Sequence, residues 1–86
     1  MERRPVLLYP RVTEKTSRAI ETENKVVFVV SPSSTKEEVK REFEQTYGHK
    51  VSKVNIVRTM RGEKLAHVKL KEAGRAAELA MRLKIL

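Results

Sequence analysis

The residues best suited to catalysis or ligand binding in this 86-residue chain are two histidines, eleven glutamates and three glycines. Neither His49 nor His67 has a cysteine, an aspartate or a second histidine at ligand or triad spacing, so both read as surface or interface residues. The carboxylates are all glutamates. Most, including Glu37, Glu38, Glu42 and Glu44, alternate with Lys and Arg in a helical segment whose apolar stripe points elsewhere, the pattern of a solvated charged face. Gly48, Gly62 and Gly74 are too scattered to form a phosphate-cradling loop. With no cysteine, disulfides and thiolate metal sites are excluded, and the chain suits a reducing cytoplasm. The expectation is a protein without catalytic residues, metal, cofactor or small-molecule substrate.

Charge points to a different chemistry. Nineteen basic residues against eleven acidic ones give a net charge of +8 and a pI near 10.1, which on so small a surface favours a polyanionic partner. The basic residues gather in three places: Arg3, Arg4, Arg11, Lys15 and Arg18; Lys36, Lys40 and Arg41; and Arg58, Arg61 and Lys64. The first and third groups contain few acids and are the preferred RNA-binding candidates. Residues 51–58 contain no aromatic side chain, which disfavours a module that stacks single-stranded bases on its sheet. Affinity is expected from phosphate contacts and from the shape of folded RNA.

These side chains must be held by a single small domain, since 86 residues allow one modest core. Residues 6–9 form a short apolar run closed by Pro10, a brief strand. Thr13 is a candidate N-cap for a short, exposed helix carrying Ala19 and Ile20. Residues 26–30, Val-Val-Phe-Val-Val, are apolar on both period-two faces, so a strand buried on both sides is expected. Ser34-Thr35-Lys36-Glu37 fits a capping box opening a helix with Val39, Phe43 and Tyr47 on its inner stripe and Gly48 at its end.

From Val51 the period returns to two. Val54 and Ile56 alternate with Lys53, Asn55 and Val57, and Ala66, Val68 and Leu70 alternate with His67, Lys69 and Lys71. Residues 60–63 form the hairpin turn between them, with Gly62 supplying a positive φ. A last helix opened by Gly74 carries Ala76, Leu79, Ala80 and Leu83 on one stripe. The order β-α-β-α-β-β-α implies an α+β fold: a three-layer α/β/α sandwich on a mainly antiparallel, four-stranded sheet. The longest apolar run, residues 26–30, is far too short to cross a bilayer, and membrane insertion is not expected.

The segment Pro10-Arg11-Val12-Thr13-Glu14-Lys15 resembles the signature of the family of ribosomal protein twenty-three of the large subunit. Further similarities follow in order: residues 24–30 resemble that family's Asn-x-x-x-Phe-x-Val strand, residues 34–40 its Ala-Thr-Lys-x-Glu-Ile-Lys helix start, residues 51–55 its Val-x-x-Val-Asn segment, and Gly62-Glu63-Lys64 its hairpin tip. Together they span nearly the whole chain.

The resemblance implies a domain that binds large-subunit rRNA beside the exit of the nascent-peptide tunnel, among neighbouring tunnel-exit ribosomal proteins. It implies a docking surface at Val12, Thr13 and Glu14. It also implies an RNA contact at Asn55, although Ile56 stands where the family has Thr. Bacterial relatives carry a long basic extension where only residues 59–63 separate the last two strands here, so the chain looks archaeal in type. The signal recognition particle is then the expected docking partner rather than the bacterial chaperone. An acid-binding interaction domain and a small phosphohydrolase of acylphosphatase type are the competing readings. The second would need a phosphate loop that Arg58 and Asn55 do not adjoin. An absence of Asp and Cys beside abundant Lys, Arg and Glu suggests heat adaptation.

Overall fold

A computed structural model describes residues 5–85 of the chain. Strand β1 (Leu7–Pro10), helix α1 (Glu14–Thr22), β2 (Lys25–Val30), α2 (Lys36–Tyr47), β3 (Val51–Arg58), β4 (Lys64–Leu70) and α3 (Arg75–Arg82) follow in the expected order. The four strands form one antiparallel sheet in the order β1-β2-β4-β3. The fold is α+β.

Strand alternation divides the sheet into two faces. On one, Val26, Phe28 and Val30 of β2, Ala66, Val68 and Leu70 of β4, and Val51 and Val54 of β3 meet Val39 and Phe43 of α2 and Ala76, Leu79 and Ala80 of α3. Phe28 and Phe43 meet edge to face with centroids 5.9 Å apart, and Tyr47 packs on both rings. All five residues 26–30 are buried, as a run apolar on both faces requires. Val27 and Val29 are closed off on the opposite side, where α1 supplies a thin third layer.

That helix lies against β2 and also touches α3. Ile20 therefore joins the main core, while Thr16, Ala19 and Glu23 border the second face.

The helix ends follow from local chemistry. The Thr13 hydroxyl accepts from the Thr16 backbone N–H, and the Thr16 hydroxyl accepts from that of Thr13. The capping box of α2 lies one residue later than the sequence suggested: Thr35 and Glu38 form it. Ser34 is instead buried and donates its hydroxyl to the Ser31 carbonyl at 2.6 Å, closing the turn after β2. Gly48 ends α2 at φ 74° and Gly62 turns the hairpin at φ 86°.

Gly74 has no side chain to cap α3, and Asn24 does so from a distance. Its Oδ1 accepts from the Ala76 N–H at 3.0 Å, while its Nδ2 donates to the Leu70 and Glu72 carbonyls. Asn24 adopts φ 53°, a left-handed conformation that Asn tolerates better than most residues.

Candidate nucleic-acid interface

The second face of the sheet carries a different chemistry from the core. Residues paired across the strands stand in rows: Lys25, Lys69 and Lys53; then Val27, His67 and Asn55; then Val29, Leu65 and Val57. The first row depends on an irregularity. Val51 pairs with Leu70, but the register shifts before Lys53 pairs with Lys69. Ser52 and Lys53 are consequently both exposed while Val51 and Val54 are both buried. Such a bulge re-aims side chains without emptying the core.

His67 sits beside this row. Burial holds its pKa below the usual 6.5, the positive charges of Lys25 and Lys15 push the same way, and Glu23 opposes them.

Toward the hairpin the face deepens into a groove of about 600 Å³ between α1 and the turn after β3. Val27, Leu65 and Ala19 give it an apolar floor, and Lys15, Lys25 and Arg61 a basic rim. At its end Arg11 forms an ion pair with Glu63, and the Tyr9 hydroxyl donates to the same carboxylate at 3.4 Å. The pair joins the segment leading into α1 to the hairpin. Among the described residues, no three His, Cys, Asp or Glu side chains converge as a metal site. His49 lies away from His67, beside Lys50, Glu72 and Arg75, and no described helix is long and apolar enough to cross a membrane.

The model of the ribosomal protein L23 family matches residues 5–79. The chain is 41% identical over 78 residues to the large ribosomal subunit protein uL23 of Methanothermobacter thermautotrophicus, covering 91% of each chain. It is 40% identical over 83 residues to the protein of the same name from Methanobrevibacter smithii, covering 96% of each. The chain belongs to the ribosomal protein L23 family. Both relatives are archaeal, and the alignments run over nearly their whole length. Membership in the L23 family makes the chain a structural component of the large subunit of the cytoplasmic ribosome, not an enzyme.

With the L23-family fold in view, the basic residues picked out in the sequence do not form one patch. Arg3 and Arg4 lie outside the described residues. Arg11, expected on RNA, is half-buried against Glu63, so its charge is largely answered within the fold. Lys15 and Arg61 flank the groove. Lys36, Lys40 and Arg41 are exposed along α2.

Arg58 and Lys64 are cross-strand partners, and alternation from Ile56 and Ala66 puts them on the α2 side, away from the lysine row. Arg58 is exposed. The Lys64 ammonium instead donates to the Ser34 carbonyl at 2.6 Å and the Pro32 carbonyl at 3.2 Å, tying β4 to the loop before α2.

Asn55 is exposed beside His67 on the second face. Val12, Thr13 and Glu14 are all exposed, the Glu14 side chain at 91%. Sequence reasoning missed Lys25, Lys53 and Lys69, because they are far apart in the chain and only strand register unites them. The polar phase of the alternation at Lys53 and Lys69 was a partial signal.

Proposed function

We propose that the chain acts as one rRNA-binding unit of the large subunit, placed beside the nascent-peptide tunnel exit, with the start of α1 offered to the signal recognition particle. The observation carrying the RNA reading is an excess charge of +8, with Lys25, Lys53 and Lys69 in one row on the open sheet face, where among the described residues only Glu23 pairs with them. Phosphate contacts of this kind set register and orientation without reading bases. Arg58, Arg61, Lys15, Lys36 and Lys40 are the basic residues singled out in the sequence that are best placed for them, together with Asn55; Arg3 and Arg4, outside the described residues, belong to the same proposal by their charge alone. Neighbouring ribosomal proteins at the tunnel exit complete the surroundings.

Footprinting tests this reading. Bound to transcribed large-subunit rRNA at physiological salt, the protein is expected to protect a compact set of nucleotides from hydroxyl radicals. Diffuse protection that follows protein concentration alone would contradict it.

Exposure supports the docking role of Val12, Thr13 and Glu14. Thr13 has a second duty as the cap of α1, so Glu14→Ala is the cleaner probe. It is expected to weaken recruitment of the signal recognition particle to ribosomes carrying the variant while leaving rRNA binding unchanged. An equal loss of rRNA affinity would merge the two surfaces. Heat adaptation is expected to appear as a melting temperature above about 65 °C, the upper end of the mesophilic range. A lower value would remove that reading.

A further inference from the structure

We propose that Lys25, Lys69 and Lys53, with Asn55 and His67 at their side, form a track for the phosphate backbone of folded rRNA that crosses the strands rather than following one of them. This rests on the RNA-binding reading above and gives it a definite surface. The three lysines belong to β2, β4 and β3 and stand directly opposite one another in register. With neighbouring strands about 4.8 Å apart, the row spans about 10 Å. Like charges placed directly opposite destabilise a sheet. Among the described residues the only carboxylate paired with the row is Glu23, 3.5 Å from Lys25. Lys53 and Lys69 are exposed with no described ion-pair partner.

The row is also a product of local geometry. The shift between Val51 and Lys53 is what sets Lys53 opposite Lys69. The pairing extrapolated regularly from Val51 and Leu70 would place Lys53 opposite Val68, whose side chain is in the core. The bulge thus brings a third cation onto a row that already repels itself, an arrangement that free folding does not favour and a polyanion does.

The chemistry of the surroundings selects the kind of polyanion contact. Lys25, Lys53, Lys69, Asn55, His67 and Glu23 border a shallow depression without a single apolar side chain and with the His67 imidazole as its one ring. One half-buried imidazole is a poor platform for successive unstacked bases. Phosphates and 2′-hydroxyls have ammonium groups, an amide and an imidazole, so a folded RNA presenting its backbone fits better than a single strand. An acidic protein surface would meet the same charges but brings no 2′-hydroxyls to the Asn55 amide and the His67 imidazole.

The test compares wild type, the double variant Lys53→Gln/Lys69→Gln, and Lys84→Gln beyond α3. Each is titrated with transcribed large-subunit rRNA across a salt series, and each is melted alone at low and high salt. The double variant is expected to lose affinity and to show a salt slope shallower by about 0.7 to 0.9 for each lysine. Free of RNA at low salt, it is expected to melt higher than wild type, with the difference shrinking as salt rises. Lys84→Gln is expected to resemble wild type in both readouts. Unchanged rRNA affinity and slope in the double variant would overturn the track while leaving the RNA reading standing. A double variant that binds weakly because it melts lower at both salts would also overturn it, assigning the lysines a structural role. A wild-type protein with no affinity for the transcript would overturn the RNA reading and the track together.

Discussion

The Arg11 guanidinium and the Glu63 carboxylate form an ion pair across the mouth of the groove, joining the segment that enters α1 to the tip of the β3–β4 hairpin. Both side chains are 31% exposed, and Arg11 Nε is buried without a hydrogen-bond acceptor. The pair is expected to position the hairpin rather than to touch RNA. A double-mutant cycle on Arg11→Ala and Glu63→Ala, read by urea unfolding, is expected to give a coupling of up to about 1 kcal/mol. Arg11→Ala is expected to leave the rRNA salt slope unchanged, and a slope reduced by one phosphate contact would return Arg11 to the RNA surface.

Lys64 and Arg58 are separated by what their charges already touch. Lys64→Met removes an ammonium bound to two carbonyls and is expected to cost about 1.5 to 3 kcal/mol of stability, the range for hydrogen bonds to charged groups. Arg58→Ala removes an exposed guanidinium and is expected to cost little stability but to flatten the rRNA salt slope by about 0.7 to 0.9. Chemical unfolding beside RNA titration reads both. The opposite pattern would exchange their roles.

Asn24 performs a cap that Gly74 cannot. Asn24→Ala leaves the Ala76 N–H and the Leu70 and Glu72 carbonyls without their side-chain partner and puts a less tolerant residue at φ 53°. A destabilisation of about 2 to 4 kcal/mol is expected from the lost hydrogen bonds and the strained backbone together. Hydrogen exchange is expected to localise the weakening to α3. Exchange raised evenly over the whole chain would argue against a capping role.

His67 gives stability a pH dependence whose sign is fixed. Burial first, then Lys25 and Lys15, hold its folded pKa below the unfolded value of 6.5, against the pull of Glu23. The unfolded chain therefore binds more protons in this window. The contribution is present above pH 6.5 and is lost as pH falls through the folded value. His67→Gln is expected to flatten the unfolding free energy between about pH 7 and about pH 5, above the carboxylate range. A variant as steep as wild type there would remove His67 as the cause.

Much of the fold was legible because periodicity changed cleanly along the chain. The doubly apolar run at residues 26–30 announced the β2 strand that β1 and β4 flank, and Gly48 and Gly62 marked turns that need positive φ. The α2 cap was misplaced by one residue because Ser34 and Thr35 carry equivalent hydroxyls, and only the turn at Ser31 shows which one is already engaged. Charge was legible as a total but not as a surface. Arg11 and Lys64 looked available because Glu63 and the carbonyls of Pro32 and Ser34 reach them only after folding. Lys25, Lys53 and Lys69 looked scattered because their row exists only in strand register, and one bulge decides it.

The most direct measurement is the dissociation constant of the purified protein for transcribed large-subunit rRNA across a salt series, with bulk tRNA as competitor. A slope of log affinity against log salt steeper than about −2 is expected, from three or more phosphate contacts at about 0.7 to 0.9 each. Binding is expected to survive physiological salt and excess tRNA. If rRNA and tRNA bind alike and both are lost as salt approaches physiological strength, the charge acts without a site and the account of a specific rRNA-binding surface is wrong.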